Sequence, residues 1–146
     1  MANNRLLHVF VLIVLFFCST QSVMCKNPVL KNSKWTAVLK EFVADAGTMT
    51  ITHTLEFTSA KEVRISEKTN MPSYPAMYMN PDGTVDTIPG WSSEKSETGT
   101  YKLRRGKLTI ITTEDGLPQE YTVMPDGTLV RELPWGETLI FSRSEE

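Results

Sequence analysis

The sequence predicts an all-β protein, a single antiparallel up-and-down β-barrel of about eight to ten short strands. Residues 98–143 contain five short runs rich in Tyr, Leu, Ile, Val, Thr and Phe, separated by four glycine-bearing breaks, which is typical of consecutive hairpins. Residues 48–58 alternate between apolar and polar side chains. The turn-forming pattern Pro-x-Gly recurs at residues 81–83, 125–127 and 134–136. None of these features has helical spacing.

Closure of the sheet is predicted from the single apolar face of each strand. An open sheet would expose one apolar face and two edges, whereas a closed barrel removes the edges and buries the inner faces together. Tight hairpins join neighbouring strands, and few long crossover connections are present for a Greek key. A β-sandwich is the alternative architecture.

The first 25 residues predict a secretory signal peptide. Arg5 precedes a largely apolar run at residues 6–18, and the polar residues 19–22 follow. The apolar run is shorter than the roughly 20 residues that a membrane-spanning helix needs. We therefore expect an exported protein, periplasmic or secreted, with no transmembrane helix after the leader.

Both cysteines lie in this leader region. Cleavage is expected after Ser22 or nearer to Lys26. The alternative is a lipid-anchored envelope protein acylated at Cys25 or Cys18, although Met24 occupies the position where a lipidation signal has a small residue. The predicted domain after the leader has no cysteine, so we expect neither a disulfide framework nor a thiol nucleophile.

The chain after the leader suits one compact domain of about 120 residues. The predicted organisation is a signal peptide at residues 1–25, a tether at 26–33, a barrel domain at 34–143 and a tail at 144–146. The formal net charge is −2, and the one basic cluster, at 102–107, surrounds a hairpin tip. Because such a tip is ordinarily solvated, we expect no nucleic acid binding.

In the first half of the chain, residues 48–58 form the clearest predicted strand. Threonines occupy one face, which suits exposure on a pleated surface. The other face is predicted to point inward and carries Met49, Ile51, His53, Leu55 and Phe57. The remaining predicted strands of this half are 35–43, 61–68, 76–79 and 84–88, and the rest of the proline-rich segment 70–97 is predicted as loop.

The chain resembles the bacterial lipocalin-like proteins, small exported members of the calycin group. The matching motifs are Asn-Ser-Lys-Trp at 32–35, Gly-Thr-Tyr-x-Leu at 99–103, Gly-Lys-Leu-Thr-Ile at 106–110 and Leu-Ile-Phe-Ser-Arg at 139–143. In lipocalins, a Gly-x-Trp tryptophan at the start of the first strand packs under an arginine beyond the last strand. The resemblance therefore implies that Trp35 and Arg143 form this structural pair, with serine in place of the motif's glycine.

The second half is also similar to the N-terminal barrel of NlpE-type envelope lipoproteins, which are linked to copper stress and surface sensing. That family carries a Cys-x-x-Cys motif in its first half. The corresponding strands of this chain contain no cysteine, so the resemblance does not imply a copper role. It implies the fold rather than a function.

The candidate ligand-binding residues are His53, Tyr74, Tyr78 and Trp91. His53 is the single histidine after the leader and lies on an inward face. A ligand contact is one interpretation, and a histidine hydrogen-bonded in the core or at the rim is the other. The three aromatic residues belong to segment 70–97 and are predicted to line a mouth over the barrel.

No enzyme, cofactor or metal site is predicted. Met71, Met77 and Met79, together with His53, have side chains that suit a soft metal such as Cu(I). Methionine that fills irregular space is the commoner arrangement, so we expect no metal there. The chain has no Gly-x-Ser-x-Gly elbow and no phosphate-binding glycine loop.

Two functions remain open. The interior of an eight-stranded barrel is just wide enough to be filled by side chains or to hold one small ligand. The first hypothesis is an exported lipocalin-like barrel that binds a small apolar or amphipathic ligand at its open end. The alternative is an envelope interaction or structural protein with a filled barrel and no small-molecule ligand, whose segment 70–97 contacts a protein partner.

Overall fold

The computed structural model describes residues 28–144, and the predicted signal peptide lies outside this range. Ten β-strands form the regular structure, and no helix occurs between residues 28 and 144. In chain order the strands are β1 (Ser33–Val43), β2 (Gly47–Phe57), β3 (Glu62–Met71), β4 (Tyr74–Met79), β5 (Val85–Ile88), β6 (Trp91–Arg104), β7 (Lys107–Thr112), β8 (Pro118–Val123), β9 (Leu129–Glu132) and β10 (Thr138–Arg143).

Eight of the strands close into an antiparallel barrel. The order around the barrel is β1-β10-β9-β8-β7-β6-β3-β2. Strands β4 and β5 pair only with each other and form a separate hairpin inserted between β3 and β6. The predicted up-and-down barrel is therefore confirmed, and the sandwich alternative is wrong.

Four strands continue beyond the closed part of the barrel. β1 pairs with β2 along eleven residues, and β3 pairs with β6 along ten. By contrast, β10 pairs only with Trp35 and Thr36 of β1, and the pairing of β7 with β6 begins at Gly99. The upper parts of β1, β2, β3 and β6 thus form an extended sheet over one end of the barrel, comprising residues 37–43, 47–53, 66–71 and 91–98.

The prediction of a loop at residues 91–97 is wrong. These residues are the first half of β6 and pair with β3 from Met71↔Trp91 to Ile65↔Glu97. Their composition is polar because this part of the strand belongs to the extended sheet, where residues 91–96 are all exposed. Without a buried face the sequence shows no apolar alternation, and the backbone pairing with β3 holds the strand in place.

The lower half of the barrel is filled by side chains. Phe57, Phe141 and Tyr121 are among its largest fully buried residues. The Tyr121 and Phe141 rings meet edge to face, with centroids 5.7 Å apart. Leu30, from the predicted tether, is also buried and packs in this core. The other buried members are Trp35, Ala37, Leu55, Val63, Leu108, Ile110, Val123, Leu129, Leu133 and Leu139.

The three Pro-x-Gly turns share one hydrogen-bond pattern. In each turn the glycine N–H donates to the carbonyl of the residue before the proline, at 2.9 Å. Gly83, Gly127 and Gly136 have φ values of 85°, 88° and 94°, in the left-handed region that favours glycine. The predicted turn chemistry is confirmed at all three positions.

The residues of the implied structural pair lie opposite each other in the register. Trp35 of β1 and Arg143 of β10 are Cα partners. The Trp35 side chain is buried, and its indole N–H donates to the Ser33 hydroxyl at 2.8 Å. Arg143 is exposed. Packing of the Arg143 guanidinium against the indole stays a prediction.

Candidate functional site

A cavity of about 380 Å³ lies at the mouth of the barrel, above the filled core. One wall is the inner face of the extended sheet, and the other is formed by β8, β9 and the turn that follows β9. The lining residues are Leu39, Glu41, Ile51, His53, Glu67, Glu97, Gln119, Arg131, Leu133 and Trp135.

The polar lining residues point inward because they share the period-two pattern of the core. His53 lies two residues before buried Leu55, and Gln119 lies two residues before buried Tyr121. Arg131 follows buried Leu129 by two residues. Since alternate side chains of a strand point to one face, these polar groups form a layer directly above the apolar core.

The floor of the cavity is a hydrogen-bonded cluster around Gln119. Its side-chain Oε1 accepts a hydrogen bond from the Tyr121 hydroxyl at 3.0 Å and another from Arg131 Nη1 at 2.8 Å. The Arg131 guanidinium also lies over the Tyr121 ring, 5.6 Å from its centroid. Burial raises the pKa of Tyr121, and the Arg131 charge partly offsets this increase. These contacts hold Arg131 in place.

His53 faces Glu67 across the β2–β3 pair. The imidazole Nδ1 and the carboxylate Oε2 are 3.6 Å apart, which is longer than a hydrogen bond. Burial lowers the pKa of His53, and the Arg131 charge lowers it further, whereas the Glu67 carboxylate opposes both effects. The imidazole is therefore neutral at neutral pH.

The titration of His53 predicts how stability depends on pH. The unfolded chain binds a proton near pH 6.5, whereas the folded protein binds it only at lower pH, so unfolding takes up a proton as the pH falls. We expect wild type to lose more free energy of unfolding between pH 7.5 and 5.5 than the His53→Gln variant. Urea unfolding at both pH values measures this difference, and equal losses in the two proteins would contradict the assignment.

Carboxylates outnumber basic groups in the lining. Glu41, Glu67 and Glu97 face a single guanidinium, that of Arg131. Among residues 28–144, Glu41 and Glu97 form no ion pair within 4.0 Å, although both are half-buried. With His53 neutral, the lining therefore has two negative charges in excess.

Only one of the four predicted ligand-binding residues lines the cavity. His53 does, whereas Tyr74 and Tyr78 lie on β4 of the inserted hairpin and Trp91 begins β6. Tyr78 and Trp91 are 62% and 52% exposed. Strands β4 and β5 pair only with each other, and no residue of this hairpin lines the cavity. A role for these three aromatic residues in binding stays a prediction.

Sequence reasoning missed most of the lining. Glu67, Glu97, Arg131 and Gln119 come from four different strands, so no local motif joins them. Trp135 was assigned only to a turn, and the structure places it at the rim, 68% exposed. The available signal was the spacing along each strand: Glu67, Gln119 and Arg131 each lie an even number of positions from a buried apolar residue of the same strand.

The methionines considered for a soft metal lie on β3 and on the inserted hairpin. Met71 is buried, whereas Met77 and Met79 on β4 are 83% and 68% exposed. Within residues 28–144, no three His, Cys, Asp or Glu side chains are arranged to hold a metal ion.

A second cavity, of about 290 Å³, lies on the outer surface of the barrel. Its lining includes Glu62, Arg64, Thr98 and Gly99. Apart from Val63 and Gly99, its lining residues are exposed, whereas the mouth cavity is larger and all of its lining residues except Trp135 are partly or fully buried. The barrel mouth is therefore the stronger candidate site.

Within residues 28–144, no helix has the length and hydropathy that a membrane crossing requires. Comparison with protein-family models, with curated proteins and with solved structures found no match to this chain. The structure shows a closed eight-stranded antiparallel barrel, an architecture compatible with a lipocalin-like fold.

Proposed function

We propose that this protein is a lipocalin-like binding barrel that holds one small amphipathic molecule in the cavity at its mouth. The observation that carries the proposal is the position of this cavity, at the open end of a barrel whose lower half is filled. Its volume falls in the range of about 300–1,000 Å³ that is usual for small-molecule sites.

The lining has the two kinds of surface that an amphipathic ligand needs. Leu39, Ile51, Leu133 and Trp135 provide apolar contact area. The carboxylates, the imidazole of His53 and the Gln119–Arg131 cluster provide polar contacts. Because Gln119 and Arg131 are already held by their mutual hydrogen bond and by Tyr121, a ligand would meet this part of the site preformed, at little ordering cost.

The lipocalin-like part of the proposal is supported by the topology and by the motifs that resemble this family. The strands follow one another around the barrel, apart from the inserted β4–β5 hairpin. Trp35 and Arg143 are Cα partners where the first and last strands meet, a register compatible with the side-chain packing that the resemblance implies. Neither feature identifies a ligand.

An interaction protein of the envelope is the second candidate. It is favoured by the inserted hairpin, on which Met77, Tyr78 and Met79 are all mostly exposed. Such a surface suits contact with another protein. This candidate predicts that the mouth cavity binds no small molecule and that changes at the hairpin abolish function.

Binding of N-phenyl-1-naphthylamine, a neutral apolar fluorophore, tests the proposed cavity. We expect saturable binding with enhanced fluorescence, because the probe leaves water for an apolar wall. Ile51→Trp would fill the cavity and should weaken binding by about tenfold or more, which corresponds to about 1.4 kcal/mol. Val38→Trp is the matched control, because Val38 lies on the outer face of neighbouring β1 and is 56% exposed.

The outcomes separate the two candidates. Loss of binding in Ile51→Trp but not in Val38→Trp supports the mouth cavity. Absence of saturable binding in wild type, or equal binding by both variants, would overturn the proposal. Circular dichroism of both variants would verify that the barrel is folded.

A further inference from the structure

The charge of the mouth cavity selects among amphipathic ligands. The cavity itself defines the site, because it lies between the extended sheet and the β8–β9 side of the barrel and part of its lining is apolar. Its charged lining consists of three carboxylates, from Glu41, Glu67 and Glu97, and one guanidinium, from Arg131. The potential inside is therefore negative, and a ligand head group of positive charge is favoured there over one of negative charge.

The single cation of the lining is already engaged. Arg131 Nη1 donates to Gln119 at 2.8 Å, and the guanidinium lies over the Tyr121 ring. The pKa of Asp115 is lowered mainly by the hydrogen bond from Thr112, and the Arg131 charge adds to this effect. An anionic head group would have to compete for this guanidinium while it faced three carboxylates, so the lining disfavours a fatty acid or a phosphate.

The neighbouring groups do not reverse this balance. Burial lowers the pKa of His53 more than the Glu67 carboxylate raises it, and the Arg131 charge lowers it further, so the imidazole is uncharged at neutral pH. The carboxylates of Glu41 and Glu97 form no ion pair among residues 28–144. They are thus available to a ligand.

The arrangement of the carboxylates favours an organic cation over a metal ion. No three acidic or histidine side chains within residues 28–144 are arranged to hold a metal. The rim adds Trp135, whose ring face attracts an ammonium group. Leu39 and Ile51 supply contact for a hydrocarbon chain attached to that group.

We propose that the ligand of the mouth cavity is an amphipathic amine, an ammonium head group on a short apolar body, selected by the excess negative charge of the three lining carboxylates. This inference rests on the proposed function, because it names the ligand class of the same cavity.

A displacement series with matched head groups tests the proposal. Decylamine, 1-decanol and decanoate share one chain and differ in charge, and each is titrated at pH 7.5 against bound N-phenyl-1-naphthylamine. We expect decylamine to displace the probe at about tenfold lower concentration than decanol, because the negatively charged lining attracts its ammonium group. Decanoate should be the weakest of the three, because the same lining repels its carboxylate.

A pair of double variants shows whether the negative charge of the lining is responsible, because removal of two of its three carboxylates leaves one carboxylate and one guanidinium. Glu67→Gln with Glu97→Gln should bring decylamine and decanol to about equal potency while probe binding is retained. Glu94→Gln with Glu120→Gln removes the same number of charges from exposed positions on β6 and β8, and should keep the preference.

Each result has a distinct meaning. Equal displacement by the three compounds, a preference for decanoate, or a preference for decylamine that survives in the Glu67 and Glu97 variant would overturn the amine proposal and leave the binding cavity intact. Absence of probe binding in wild type would overturn the proposed function itself and the amine proposal with it.

Discussion

Replacement of Phe57 with alanine is expected to lower the free energy of unfolding by about 3–5 kcal/mol. Phe57 is fully buried at the lower end of β2, and its ring meets the Tyr101 ring edge to face with centroids 4.8 Å apart. The change removes the buried ring and leaves a cavity that the closed barrel cannot collapse, because the strands are joined all round. It also removes the contact between the two aromatic rings.

Urea unfolding followed by circular dichroism measures this effect. Phe42→Ala is the matched control, because Phe42 carries the same ring at the exposed end of β1, 80% accessible to solvent. We expect that change to alter the free energy of unfolding by less than about 0.5 kcal/mol. Similar losses in the two variants would show that the lower half of the barrel is not the structural core. If Phe57→Ala does not fold, Phe57→Leu should show the same direction with a smaller loss.

The second large effect is expected for Gly99→Ala, at about 3 kcal/mol. A Cβ at this position would approach the carbonyl oxygen of Ile111 to 2.6 Å and the Cα of Thr112 to 3.2 Å. Both atoms belong to the backbone of β7, so no side chain can rotate away. The β6 and β7 strands would have to separate at the point where β6 enters the closed part of the barrel.

Gly127→Ala is the comparison for this variant. Gly127 has nothing within 4 Å of an added Cβ, but its φ of 88° lies in the left-handed region. Its substitution should therefore cost about 1–2 kcal/mol through backbone strain alone. Hydrogen exchange should report faster opening of β6 and β7 amides in Gly99→Ala. A smaller loss of stability in Gly99→Ala than in Gly127→Ala would show that β6 and β7 can move apart at little cost in free energy.

The success of the sequence-based prediction of the fold has a local cause. Inward-facing Leu55 and Phe57 follow from the alternation within one strand, and the Pro-x-Gly turns follow from the φ preferences of two residue types. Closure followed from the number of one-sided strands and the shortness of their connections. Residues 91–97 were wrongly predicted as loop because this part of β6 is held by backbone pairing with β3 and buries no face, so its sequence does not alternate between apolar and polar residues.

The candidate site was less predictable because its residues are brought together by the barrel. The prediction placed His53 on an inward face, and the structure places it in the cavity beside Glu67, which comes from the next strand. Tyr74, Tyr78 and Trp91 were predicted to bind a ligand because they are aromatic. The first two lie on the inserted hairpin and Trp91 begins β6, and none of them lines the cavity. Local composition does not report which segment of chain covers a barrel end.

The amino-acid sequence by itself determined the β-strands, their tight turns and the side of each strand that faces inward, because all three depend on residues close together in the chain. Only the tertiary structure decided which inward residues fill the core and which reach the mouth. The position of each residue along the barrel axis depends on the stagger between strands, which accumulates around the whole barrel and brings Glu67, Glu97 and Arg131 to one cavity. The charge of the cavity is therefore a property of the closed fold, and no single segment of the chain specifies it.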